Sequence, residues 1–200
     1  MKKTVLYLGA GVVAGVLLMA AAWWILNRPG PFQGSLIEPA LPAAEIVNLD
    51  QHGDPFRLSE QRGKVVLLAF GYTHCPDVCP ATLAQFKQIK EGLGDQAGRA
   101  QFVLVTVDPE RDTPEQMKAY LEKFDPQFIG LTGARADLES IWKNYFVFQE
   151  THDTGHTDDY SVDHTARIYA IDKGGNLRLT YPLELGSDAI LSDVRRLIQE

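Results

Sequence analysis

Cysteine is nearly absent from this chain of 200 residues, which has only Cys75 and Cys79. That scarcity excludes a framework of several disulfides and confines all thiol chemistry to Tyr72-Thr73-His74-Cys75-Pro76-Asp77-Val78-Cys79-Pro80. The C-x3-C spacing is one residue longer than the C-x-x-C of dithiol oxidoreductases. No internal repeat and no low-complexity tract is present, so a repeat architecture is excluded. Acidic residues are missing from the first 26 positions, and all 26 of them lie beyond.

What the N-terminus has instead is Lys2 and Lys3 followed by an uncharged run from Thr4 to Leu26, with Trp23 and Trp24 near its far end. At 1.5 Å per residue such a run spans roughly 30 Å, enough to cross a bilayer. Lysine on the near side and tryptophan at the far interface give an orientation with the N-terminus inside and the remainder exported. A cleaved signal peptide, with Ala20-Ala21-Ala22 as the small-residue site, is the alternative, but the apolar run is longer than an ordinary signal core. Residues 1–26 are therefore expected to be a membrane anchor. A short Lys2-Lys3 start without a long Arg- and Ser-rich presequence points to a bacterial inner membrane, spanned once, with the domain on the periplasmic side.

Beyond residue 26 there are 26 acidic against 17 basic side chains, a formal −9. Such a surface argues against nucleic acid or anionic lipid as a partner, and is compatible with attraction of cations, a basic protein or simple solubility. Export permits a disulfide between Cys75 and Cys79. A loop this short gives little loop-entropy stabilisation, so stapling the fold is a weak reason for the pair.

Residues 27–42, with four prolines and two glycines, read as a linker, leaving 43–200 as one domain. There the pattern alternates. Ala44–Asp50 is a short strand, and Lys64–Tyr72 and Gln101–Val107 are continuous apolar runs expected of strands buried on both faces. Pro80–Leu93 has helical spacing of Leu83, Phe86, Ile89 and Leu93. Thr113 caps a helix with Pro114 at its first position, running to Phe124. Phe128–Leu131 is a strand and Ala136–Tyr145 a helix. Phe146–Glu150 is extended, and Thr151–Tyr160 is a polar loop. Ser161–Ile171 and Leu177–Pro182 flank the turn Asp172-Lys173-Gly174-Gly175-Asn176 as a hairpin. Ser187–Gln199, capped by Ser187, is an amphipathic helix. The order predicts an α/β fold with a mostly parallel central sheet, flanking helices and an antiparallel hairpin at one side. A dithiol directly after the first buried strand and leading into the first long helix is the thioredoxin-like layout.

Pro80 constrains the dithiol. Inside a helix beginning at Cys75 its ring would clash with the Pro76 carbonyl. Pro80 at the first helical position instead leaves Cys75–Cys79 as a turn at the helix mouth, where backbone N–H groups favour thiolate. Thiolate both binds metal and attacks disulfides. Five histidines could complete a metal site. His52 sits in a polar turn; His74 adjoins Cys75 but points away from it; His152 and His156 lie in the polar loop. His164 stands at the start of a strand beside Asp163, where a structural role is equally open. Two thiolates and an imidazole suit Cu(I) and, with rearrangement, Cu(II). Zinc competes, though its structural sites normally take four protein ligands.

The cysteine motif, the segment Val107-Asp108-Pro109-Glu110-Arg111-Asp112-Thr113-Pro114, the triplet Asp163-His164-Thr165 and the single N-terminal anchor together resemble the Sco/SenC family, over roughly residues 43–200. The resemblance implies a thioredoxin-like domain binding one copper ion, Cu(I) or Cu(II), through Cys75, Cys79 and His164, with Asp108 and Asp163 in support. It implies action in assembly of the binuclear copper site of cytochrome c oxidase, as a metallochaperone rather than an enzyme. The partners are then the copper-site subunit of the oxidase and other periplasmic copper chaperones or thiol oxidoreductases. The alternative is a thiol–disulfide reductase in which Cys75 and Cys79 form the redox-active pair. No proline occurs between Pro126 and Pro182, so the cis-proline that thioredoxins place opposite their dithiol has no candidate near His164. A peroxidase reading lacks the Pro-x-x-x-Thr/Ser-x-x-Cys arrangement before Cys75. His152 and His156 are candidates for a secondary copper-loading site.

Overall fold

The computed structural model describes residues 15–20, 22–24, 30–156 and 159–200, with backbone only at 153–156 and 159. The chain divides into two units, Met1–Pro31 and Phe32–Glu200. In the first, residues 15–20 and 22–24 are helical. Among the described residues no helix is long and apolar enough to cross a membrane, and most of the expected anchor lies outside them.

The second unit is built on an eight-stranded sheet. Its strands are β1 (Ser35–Pro42), β2 (Val47–Asp50), β3 (Pro55–Arg57), β4 (Val65–Gly71), β5 (Ala100–Thr106), β6 (Ile129–Thr132), β9 (Arg167–Ile171) and β10 (Asn176–Pro182). They are ordered β1-β10-β9-β4-β5-β6-β2-β3. Strands β7 (Gln149–His156) and β8 (Asp159–His164) form a separate two-stranded ribbon. The helices are α1 (Val78–Leu93), α2 (Pro114–Leu121), α3 (Arg135–Asn144) and α4 (Ser187–Gln199).

Only β4–β5 and β5–β6 pair in parallel. Every other pairing in the sheet is antiparallel, so the expectation of a mostly parallel sheet is corrected to a mixed one with a three-stranded parallel centre. The cause is local. Parallel neighbours need helical crossovers, which α1 and α2 supply; the flanking strands are joined by hairpins or arrive from the N-terminus.

All seven residues of β4 are buried, and the pleat divides them. Val65, Leu67 and Ala69 pack under α1, α2 and α4 with Phe86, Met117 and Val194. Val66, Leu68 and Phe70 face the opposite side with Trp142 of α3 and Val162 of the ribbon. Period-two alternation with both faces covered explains why the sequence reads as an unbroken apolar run.

Four further differences from expectation matter. Ser35–Pro42, expected within a linker, pairs with β10 as an edge strand, anchored where the Gln33 and Gly34 N–H groups donate to the buried Asp193 carboxylate. Helix α1 starts at Val78, with Asp77 as its N-cap, so Pro80 is the third helical residue; its missing N–H is still one of the first-turn groups without an intrahelical acceptor. Thr151–Tyr160, expected as a loop, is mostly ladder of the β7–β8 ribbon as far as it is described. The run Ser161–Ile171 is broken at Thr165 and Ala166, so His164 ends β8 instead of opening a strand.

Candidate metal centre

Cys75 lies in the turn between β4 and α1, and Cys79 is the second residue of α1. Gly71 ends β4 directly beneath them. A Cβ there would stand 2.7 Å from the Cys79 sulfur, so only glycine lets this thiol rest on the strand end. The Tyr72 N–H donates to Cys79 Sγ at 3.4 Å, and the Cys79 N–H donates to Cys75 Sγ at 3.4 Å. His164 arrives from the ribbon with Nε2 3.6 Å from Cys79 Sγ. Its Nδ1 is 3.3 Å from the Thr165 carbonyl. With its proton on Nε2 the ring donates to the sulfurs; with the proton on Nδ1 it satisfies that carbonyl and frees the Nε2 lone pair for an ion.

The three donor atoms all lie within 4.8 Å of one another. Both thiols are unbonded to each other. Cys79 is 2% exposed and Cys75 9%, and a cavity of about 240 Å³ opens beside Cys75 and His164. The pair is electrostatically unequal. Hydrogen-bond donation from Cys79 pulls the Cys75 thiol down to about 4 against the opposing effect of burial, with further help from His164 and the Cys79 N–H. Cys79, as donor in a buried position beside that charge, is pushed up. A soft, two-sulfur, one-nitrogen set with an open side fits a thiophilic ion held by few ligands.

The remaining sequence candidates lie outside the three-donor cluster. Asp163 is an exposed residue at the cavity beside Cys75, and its carboxylate meets His152 Nε2 at 3.1 Å. Asp108 is buried and reaches neither sulfur. Its carboxylate accepts from Arg111 Nε and Tyr160 Oη, each at 2.5 Å. His74 Nδ1 is 3.0 Å from Thr73 Oγ1 and the ring is half exposed, outside the three-donor cluster. His52 is in an exposed turn, and the side chain of His156 lies outside the described residues.

Two groups of positioning residues escape the sequence reading. Asp112, fully buried, accepts from Thr73 N–H at 3.1 Å, Thr73 Oγ1 at 2.6 Å and Thr106 Oγ1 at 2.6 Å, tying the cysteine turn to the end of β5. Burial raises its pKa against those hydrogen bonds. Arg111 forms a clamp between sheet and ribbon: besides Asp108 it donates to the Tyr160 carbonyl at 3.0 Å and lies 3.6 Å over the Tyr160 ring. Tyr72 adds to it by accepting from the Val162 N–H at 3.3 Å and meeting the His164 ring edge-on. In the sequence Arg111 and Asp112 stand only as members of the Val107–Pro114 segment that carries the family resemblance, and nothing local gives either a role; the charge density of residues 108–112 reads equally well as a solvated loop.

The SCO1/SenC profile matches residues 43–199. The chain belongs to the SCO1/SenC family. A SCO2-like protein of Rickettsia typhi is 30% identical over 196 residues, spanning 96% of each chain. Among solved structures, Bradyrhizobium japonicum ScoI with copper bound is 35% identical, with a TM-score of 0.72 over 78% of this chain and 98% of that one. The apo Sco1 protein from Thermus thermophilus is 35% identical with a TM-score of 0.75, over 84% and 97%. The domain is thus a Sco-type thioredoxin-like fold, and its three-donor cluster sits where β4 meets α1.

Proposed function

We propose that this Sco protein is a membrane-anchored copper metallochaperone, holding one copper ion as cargo through Cys75, Cys79 and His164. Its task is assembly of the binuclear copper site of cytochrome c oxidase. The observation that carries the reading is the convergence of the three donors within 4.8 Å from two parts of the fold, next to an open cavity. Copper bound to the 35% identical B. japonicum relative adds to it. With three protein ligands and one open side, an acceptor's thiolate or imidazole can join before the first set lets go. Residues 1–26 would tether this domain to the periplasmic face of a bacterial inner membrane; a phosphatase fusion after residue 42, inactive in cells, would contradict that orientation.

Anaerobic Cu(I) titration of the full chain in detergent tests the metal reading. One equivalent binds tightly to the reduced wild type, Cys75→Ser abolishes that binding, and His164→Ala weakens it by about tenfold or more. Oxidation to the Cys75–Cys79 disulfide removes the ligands and with them Cu(I) binding. Equal affinity in His164→Ala, or tight binding by the oxidised chain, refutes the assignment.

The inequality of the two thiols favours a second reading, reduction of the oxidase's copper-site disulfide. Cys75 thiolate would attack one sulfur of that disulfide and expel the other as thiolate. Cys79, its proton passing to that expelled thiolate, would then attack Cys75 of the mixed disulfide and break its bond to the acceptor sulfur it had attacked, leaving a Cys75–Cys79 disulfide and a reduced acceptor. His164→Ala should spare this reaction, which separates the two readings.

A further inference from the structure

Helix α3 ends in an arrangement that favours glycine but carries phenylalanine. The Phe146 N–H donates to the Lys143 carbonyl at 3.2 Å and the Val147 N–H to the Trp142 carbonyl at 2.8 Å, the two bonds of a Schellman ending. Phe146 occupies its left-handed position with φ 54°, where a Cβ crowds the neighbouring carbonyl and glycine is the unstrained residue. The side chain kept there gives nothing to the core, since Phe146 is 90% exposed. Two residues on, Phe148 is 60% exposed and is laddered to Thr165, whose N–H donates to the Phe148 carbonyl at 3.1 Å. Thr165 follows His164 directly.

Strand alternation sorts the ribbon into two faces. Val147, Val162 and His164 turn toward the sheet, with the two valines buried; Phe148, Glu150 and Asp163 lie on the other side. Glu150 and Asp163 are register partners, two like charges opposed with an energetic penalty. Residues 149–164 hold five acids, Glu150, Asp153, Asp158, Asp159 and Asp163, and neither lysine nor arginine. Asp163 also lines the cavity beside Cys75, so the acidic, aromatic surface runs to the mouth of the metal centre.

We propose that Phe146 and Phe148, rimmed by Glu150 and Asp163, are the docking surface for the protein that exchanges metal with Cys75, Cys79 and His164. This rests on the metallochaperone reading. The partner it fits presents an apolar socket ringed by lysine or arginine. An anionic lipid surface is repelled by the same acids, and a second copy would bring like charge against like.

The test uses the full chain in nanodiscs of zwitterionic lipid. The probe is the reduced copper-site domain of the same organism's cytochrome c oxidase, and Phe146→Gly/Phe148→Thr is compared with wild type. The double variant should bind Cu(I) with unchanged stoichiometry and affinity and melt no lower than wild type. Its affinity for the probe should fall at least about tenfold, and wild-type affinity should fall as salt rises. Amides of residues 145–149 should gain exchange protection only when the probe is added. Equal affinity in variant and wild type, no association of wild type, or protection already present without the probe would overturn the proposal, the last because lipid or a second copy then covers the surface. Failure of wild type to bind Cu(I) at all would count against the metal reading instead.

Discussion

At the scale of single residues, the two cysteines differ in what they can do despite lying four positions apart. Cys75 collects hydrogen bonds from Cys79 and His164 and is held at about 4, whereas Cys79 lies against Gly71 under the helix mouth. The sign follows directly: a pKa below that of an ordinary thiol keeps Cys75 as thiolate at neutral pH and protonates it only as pH falls through about 4. In the reduced, metal-free chain, iodoacetamide should therefore alkylate Cys75 at a rate nearly flat between pH 8 and 5, with Cys79 unmodified. A rate that climbs tenfold per unit from pH 6 to 8, as for a free thiol with pKa near 8.5, would show that this hydrogen-bond arrangement is wrong. The cysteines themselves are legible in the sequence because there are only two. The partners that make them unequal are not, since His164 lies 85 residues away and its approach is a property of the tertiary fold.

At the scale of elements, local chemistry accounts for what the sequence reveals. Helix α2 begins where Thr113 and Pro114 say it should, with Thr113 Oγ1 accepting from the Gln116 N–H at 3.3 Å, because cap and first-turn signals act within four residues. Thr151–Tyr160 reads as a loop because it is polar; what makes it mostly ladder, as far as it is described, is pairing across 149–164 and docking onto the sheet. That docking is polar. Asp108, Arg111 and Tyr160 hold the ribbon, and Tyr160 is pushed up to about 12 by burial and by donating to Asp108. Asp108→Asn removes the charge that holds Arg111 while leaving all three donors in place. It should lower Cu(I) affinity by about tenfold, the usual effect of losing a group that orients a ligand, and hasten exchange of the Val162 amide. Unchanged affinity and exchange would mean the clamp does not position His164.

At the scale of the whole molecule, the boundary inferred from composition falls too late. Pro and Gly in residues 27–42 suggest a spacer, yet Ser35–Pro42 closes one edge of the sheet, and Phe32 lies 3.8 Å under the Arg196 guanidinium. Proline is tolerated there because an edge strand has one side without ladder partners. A chain beginning at Ala43 would strip the Gln33 and Gly34 donors from Asp193 and bare the β10 edge. Losing hydrogen bonds to a buried carboxylate costs about 3 kcal/mol, which for a domain of this size lowers Tm by about 10 °C. A chain beginning at Phe32 should melt like the full-length protein, and equal melting of both truncations would demote β1 to an ornament of the sheet.

The separateness of the ribbon has a kinetic consequence. Two donors sit on the β4–α1 junction at the centre of the sheet, while the third rides on a two-stranded arm outside it. An ion held by all three would tie the arm to the sheet, so its release would require the His164 contact to open as well as the two sulfur bonds. By reciprocity, whatever an ion contributes to closing the arm, a partner that holds the arm open takes from the ion's affinity in equal measure.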